Sequence, residues 1–196
     1  MKWMIPRAVG FGALIACAGA AQAHTGHGTS GLGAGLLHPF GADHLLAMVA
    51  VGMWSVSALP GRQAWWGPAS FMLALTAGAA LGAAGLALPF VEAAVALSVA
   101  VFGAMLVLPS RLPRVAGLVV IAAAALLHGM AHGAEAPASG FAAYAAGFLT
   151  MTALLHGTGM LAGLSLRRHL SGAAGFAHAG LAAVCGATGL YLFSQV

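Results

Sequence analysis

Leu36-Leu37-His38-Pro39-Phe40-Gly41-Ala42-Asp43-His44-Leu45-Leu46-Ala47-Met48 decides how this chain is read. The run sets two histidines and an aspartate within seven residues, inside an apolar segment extending from about Gly31 to Leu59. Ionisable groups at that depth in lipid are costly without partners, and each is a functional-site hypothesis by default. Imidazole together with carboxylate is the donor set of a divalent transition metal.

The composition around the run makes lipid the solvent. Hydrophobic residues are 61% and charged residues 5% of the 196, with a mean hydropathy of +0.98. A soluble domain carries about 25% charged residues. The net charge of +4 comes from seven scattered basic residues, which form no nucleic-acid patch. Neither a P-loop nor a dinucleotide-binding glycine fingerprint is present, so the chain is expected to bind no nucleotide.

The first 23 residues read as a secretory signal. Lys2 and Arg7 are its charged start, Ala8 to Ala20 its short apolar run, and Ala21-Gln22-Ala23 its cleavage site. Leu14-Ile15-Ala16-Cys17 offers a competing lipoprotein-type site. Cleavage after Ala23 removes Cys17 and leaves Cys185 with no partner for a disulfide. Residues 24–30 then form a periplasmic, histidine-containing N-terminus, and residues 31–196 an all-α membrane domain.

A membrane helix needs about 20 apolar residues. Turn and charge signals divide the domain into six spans, at about 31–59, 66–88, 91–109, 115–134, 140–165 and 172–194. With the N-terminus outside, Arg62, Arg111, Arg114, Arg167 and Arg168 all fall in cytoplasmic loops. Glu92 and Glu135 fall in outer loops that hold no basic residue. That asymmetry obeys the positive-inside rule and predicts a multi-pass inner-membrane protein with both termini periplasmic. Trp65 and Trp66 sit where an aromatic belt forms.

Small-x3-small pairs at Gly31/Gly35, Gly78/Gly82, Gly129/Gly133 and Gly159/Gly163 predict close helix packing. In a chain with 29 glycines chance is the competing explanation. Leu36-Leu37-His38, Leu126-Leu127-His128 and Leu154-Leu155-His156 echo one another, the first two in oppositely running spans. The echo is weak support for an inverted three-plus-three repeat, a common transporter plan.

At 1.5 Å per residue, His38 lies about 10 Å and His44 about 20 Å below the outer face. His128 falls near the midplane and His132 about one turn outward. His38, Asp43, His44, His128 and His132 thus share one layer. His128 and His132 are spaced i, i+4 on one stripe, which Glu135 continues, and two imidazoles one turn apart form a natural clamp. On a straight helix His38 and His44 diverge. Pro39 and Gly41 favour an unwound turn that would swing His38 inward and free backbone carbonyls, as in the broken helices of transporters.

Neutral imidazole suits nickel, copper and zinc. A single aspartate offsets part of the ion's charge without trapping it, and permeation requires binding that also releases. The competing account of the five groups is a polar packing network. Asp43 serves either as a direct ligand or as an orienting group for a histidine. His178 and His156 are read chiefly as helix–helix hydrogen bonders, with His156 also a second-layer ligand candidate. His169 is interfacial, and Met48, Met53, Met130, Met151 and Met160 are core filler. His24 and His27, with the new terminal amine, form a candidate capture site at the outer mouth, weighed against a solvated tail.

The His38-Pro39 to Val51-Gly52 run and His128-Gly129-x2-His132-Gly133-x-Glu135, with the signal and six spans, resemble the HupE/UreJ family of hydrogenase- and urease-associated membrane proteins. The resemblance covers nearly the whole chain. It implies uptake of nickel, or more broadly permeation of nickel or cobalt, and the chain is expected not to be an enzyme. One departure is the spacing: four residues separate His38 from Asp43-His44, where that family more often has five. Four is the spacing of the H-x4-D-H signature of a separate nickel/cobalt transporter family.

The expected activity is therefore a permease for nickel, with cobalt or zinc as alternatives, working from periplasm to cytoplasm. Two rivals use the same residues: an intramembrane zinc hydrolase, with Glu135 its only candidate base, and a bis-histidine haem protein. A structural accessory role is a further alternative. The sequence leaves a homo-oligomer open.

Overall fold

A computed structural model describes residues 31–108, 112–137 and 139–196, all of whose regular structure is helical. Seven α-helices occur there: α1 Leu32–Leu37, α2 Ala42–Ala58, α3 Trp66–Ala83, α4 Val91–Val107, α5 Arg114–Ala134, α6 Phe141–His169 and α7 Ser171–Phe193. Short 3-10 turns at His38–Phe40 and Gly61–Trp65 lead into α2 and α3. The signal-sequence residues, Arg111, His24 and His27 lie outside the described residues.

Four helices are long and apolar enough to cross a bilayer: Gly61–Ala83 with its 3-10 lead-in, Arg114–Ala134, Phe141–His169 and Ser171–Phe193. The broken pair Leu32–Phe40 and Ala42–Ala58, bent by 74°, makes a fifth if taken as one span. The apolar Val91–Val107 is shorter, at 17 residues. Two boundaries differ from the sequence reading. α3 stops at Ala83 because Gly85, at φ +89, allows the Leu86 N–H to reach Leu81 O at 3.0 Å and its own N–H to reach Gly82 O at 2.9 Å. This is the glycine-terminated helix end that closes orphan carbonyls. At the other boundary Arg167 and Arg168 lie within the last turn of α6, where positive charge faces the negative end of the helix dipole. Arg167 also donates from Nη1 to the Val56 carbonyl near the end of α2.

Glycine sets how the helices pair. A Cβ on Gly78 would lie 2.0 Å from Leu126 O, and one on Gly82 would lie 2.2 Å from Met130 O. From the facing helix, Gly129 and Gly133 are each 2.1 Å from α3 carbonyls, those of Leu75 and Ala79. The α3 and α5 backbones therefore touch, and the rising order of both partners makes the two helices parallel. α2 and α6 pair the same way, through Gly52 on His156 O and Gly159 on Val49 O, both at 2.4 Å. α4 and α7 run antiparallel, since Gly103 meets Ala182 and Cys185 while Gly189 meets Ala96 and Ala100. Such approach gains dispersion contact where lipid supplies no hydrophobic drive between helices.

The buried centre is built from Met48, Trp54, Phe71, Leu75, Phe102, Leu106 and Ile121, each 2% exposed or less. Leu73 and Phe176, 74% and 83% exposed, point away from it. Met48, Met53, Met130 and Met160 fill the core as expected.

Candidate metal centre

The site begins where the first span breaks. Pro39 lies in the 3-10 turn and lacks the N–H that would continue α1. Gly41, extended at φ −52 and ψ 142, turns the chain and starts α2. The new helix N-terminus lies buried, with Asp43 in its first turn and 8% exposed. A carboxylate there complements the positive end of the helix dipole. The break also swings His38 back across the site, which a straight helix with four intervening residues would prevent.

The imidazoles stand in a row. His38 and His132 rings are 4.7 Å apart, His132 and His44 4.3 Å, and His44 and His128 5.0 Å. His38 Nε2 hydrogen-bonds His132 Nδ1 at 3.0 Å. Asp43 Oδ2 is 3.4 Å from His44 Nδ1, a distance for charge attraction, although the alignment is not that of a hydrogen bond. Asp43, His44 and His128 can each present one ligand atom, all within 4.8 Å of one another. Two ligands across one first-row ion stand at most about 4.2 Å apart, so small side-chain rotations close the difference.

Burial leaves these atoms without partners. His44 and His128 are fully buried. Asp43 Oδ1, both His44 ring nitrogens, His128 Nε2 and His132 Nε2 have no hydrogen bond. His128 Nδ1 is 3.1 Å from Ala124 O, which fixes the proton there and leaves the Nε2 lone pair open. A histidine that donates one nitrogen to a backbone carbonyl and offers the other is the usual form of a metal ligand. A packing network alone would pair these atoms, since each orphan costs about 1–3 kcal/mol.

Aromatic rings wall the row. Phe148 lies 5.5 Å from His38, 5.7 Å from His44 and 5.5 Å from His132, and Tyr144 is 5.8 Å from His38. Phe71 lies 6.2 Å from His128. A cavity of about 300 Å³ between α3, α5 and α6 has His132 on its wall. It shares Ala83, Gly133, Ala136 and Phe141 with a pocket of about 510 Å³ where α3 and α5 end. The two adjoin near the ends of α3 and α5, and the second reaches His132.

The structure thus brings together His38, Asp43, His44, His128 and His132. Glu135 is exposed just past the end of α5 and outside that group of ligand atoms. His156 is not the helix–helix hydrogen bonder the sequence implied: its Nδ1 bonds Thr152 O within α6, at 2.8 Å. His178 does join two helices, since its Nε2 is 3.5 Å from Ser57 Oγ, whose own proton goes to Met53 O. Such a bond is worth about 0.6 kcal/mol in a membrane protein. His178→Ala is accordingly expected to shift stability by under about 1 kcal/mol and to leave metal accumulation unchanged. Lost accumulation in a stable His178→Ala protein would put that residue in the ion's path. The sequence reading missed Phe71, Phe148 and Thr152, whose roles depend on helix pairing and carry no local signal.

No solved structure matches the chain. A curated relative, "Protein HupE" from Rhizobium leguminosarum bv. viciae, is 43% identical over 150 residues, covering 76% of this chain and 78% of the relative. The family described as HupE / UreJ protein matches residues 12–192, nearly the full length. With its apolar helices and that match, the chain is a multi-pass membrane protein belonging to the HupE/UreJ family.

Proposed function

We propose that the protein is a permease that passes a divalent transition metal, nickel before cobalt, from periplasm to cytoplasm for hydrogenase or urease maturation. The observation that carries the reading is the buried group of Asp43, His44 and His128 at a broken helix, with His132 alongside and ring nitrogens of His44, His128 and His132 left unpaired. Mixed imidazole and carboxylate donors fit nickel, cobalt and zinc, and the family association favours nickel. The ligands are His38, Asp43, His44, His128 and His132. The ion reaches them from the Glu135 end, past Tyr144, and the carbonyls freed at the end of α1 add oxygen donors there. Glu135, His24 and His27 act earlier, gathering cations at the mouth.

The accompanying topology is a cleaved signal over 1–23, six spans and two periplasmic termini in the inner membrane. Helix directions support it. Spans that alternate in direction require α2 and α6 to be parallel, α3 and α5 to be parallel, and α4 and α7 to be antiparallel, which agrees with the glycine contacts. The same contacts support an inverted repeat. Gly52 on His156 and Met160 mirrors Gly129 on Leu75 and Ala79, Gly159 on Val49 mirrors Gly78 on Leu126, and Gly103 on Ala182 mirrors Gly189 on Ala96. Under that exchange His128 and His132 correspond to Val51 and Ser55, so the Leu-Leu-His echo is out of register with it. His38, Asp43 and His44 likewise correspond to Val115, Val120 and Ile121, so both halves supply ligands but neither set has a counterpart in the other half, and the protein holds one such site.

The test is metal binding and uptake by purified protein in vesicles, with nickel, cobalt and zinc in competition. His44→Ala and His132→Ala are each expected to lower nickel binding at least tenfold in protein that still inserts. Normal binding and uptake in both variants would sink the site. Tight stoichiometric zinc with no transport would instead favour the hydrolase, and a Soret band in the purified protein would favour haem.

A further inference from the structure

Two more buried polar groups follow the row along α6. Phe148, Thr152 and His156 are spaced i, i+4, i+8 and share one stripe of that helix. Phe148 touches the imidazole row. Thr152 and His156 lie one and two turns deeper, roughly 6 and 12 Å, toward the end that carries Arg167 and Arg168. The level of His156 is fixed independently by Gly52, whose Cβ would meet the His156 carbonyl two turns beyond His44 on the parallel α2.

Both residues are sealed from solvent, at 0% and 1% exposed, and both hold an unpaired polar atom, Thr152 Oγ1 and His156 Nε2. His156 Nδ1 donates to Thr152 O at 2.8 Å, which leaves the Nε2 lone pair open, as in His128. A histidine kept only for packing would need no second unsatisfied nitrogen. The Phe71 ring neighbours both histidines, 6.2 Å from His128 and 4.8 Å from His156.

We propose that His156 Nε2, with Thr152 Oγ1, is a second and weaker binding station for the divalent cation, one step inward of the row, with the Phe71 ring beside both. The proposal rests on the permease reading and adds how the ion leaves. A site of several imidazoles and a carboxylate holds a first-row ion well, and a single imidazole with a hydroxyl beyond it accepts the ion without trapping it. Multi-site occupancy is what lets strong binding coexist with release. No covalent or redox step is involved; the ion exchanges ligands.

The informative variant is His156→Asn. Its side-chain amide can keep the bond to Thr152 O, because asparagine Nδ2 takes the place of histidine Nδ1, while nothing replaces Nε2. Full-length protein in vesicles is compared by equilibrium nickel binding, by initial uptake rate and by melting temperature. We expect His156→Asn to bind nickel at the outer row within twofold of wild type, to melt normally and to take it up at least tenfold more slowly. Thr152→Val is expected to slow uptake severalfold with binding unchanged. Wild-type uptake in His156→Asn overturns the second station. Binding, melting and uptake lost together in that variant would overturn it too, by making His156 structural. If wild-type vesicles gain no more nickel than empty ones, the permease reading itself fails, an outcome distinct from normal uptake in the variant.

Discussion

Asp43→Asn is expected to lower nickel accumulation at least tenfold, and up to about a hundredfold, in protein that inserts and melts as wild type does. Asparagine keeps the shape of the carboxylate, removes its charge and replaces one acceptor oxygen with an amide nitrogen that can only donate. That charge matters because Asp43 is the acidic residue in the buried first turn of α2, 3.4 Å from His44. Glu92 and Glu135 sit at helix ends and are exposed. Two unit charges 4 Å apart attract by about 4 kcal/mol at an effective dielectric constant of 20, and a divalent ion gains more. Part of that is lost to desolvation and to relaxation of the histidines, which brings the expectation down to one or two powers of ten. The measurements are uptake by cells or vesicles and equilibrium binding by the purified variant. Should both stay at wild-type levels, Asp43 belongs to neither the ligands nor their orienting groups, and the metal centre loses its charge.

Much of this site was legible because its signals are local. His38-Pro39 followed by Gly41 announces a break, and the break brings His38 to His132 despite a spacing that forbids it on a straight helix. His128 and His132 need only the helical period. The end of α3 was misread: Ala84-Gly85-Leu86 has the form of a glycine-terminated helix, but in so glycine-rich a chain the span was carried on to residue 88. The pairing of α2 with α6 and of α3 with α5 was not legible. It depends on which glycine meets which carbonyl across the bundle, and small-x3-small patterns mark a contact face without naming its partner. The orphan nitrogen of His156 and the position of Phe71 follow from that pairing, so they were hidden with it. The signal over residues 1–23, and His24 and His27 just after it, stand as sequence expectations only.

Gly129→Ala should separate packing from ligand chemistry, because it changes no ligand and still reaches the centre. A Cβ there would lie 2.1 Å from Leu75 O and 2.8 Å from Ala79 N, both main-chain atoms that no side-chain rotation can clear. The α3 and α5 backbones must part by more than an ångström to restore ordinary contact, and Gly78, Gly82 and Gly133 lose their own close approach as they do. Overpacking of this kind costs about 3 kcal/mol at the upper end of the usual range. For a chain of this size that is a fall of roughly 6–12 °C in melting temperature. Uptake should fall as well, since His128 adjoins Gly129 and His132 lies one turn on, so both imidazoles move away from Asp43 and His44. Gly157→Ala is the matched control: nothing lies within 4 Å of its added Cβ, and alanine is the better helix former. That protein should melt at or slightly above the wild-type temperature. If Gly129→Ala melts with wild type and transports normally, the backbone contact between α3 and α5 is not what holds the two histidines in place. If it melts early yet binds nickel at full strength, α5 carries its imidazoles without needing α3 against it.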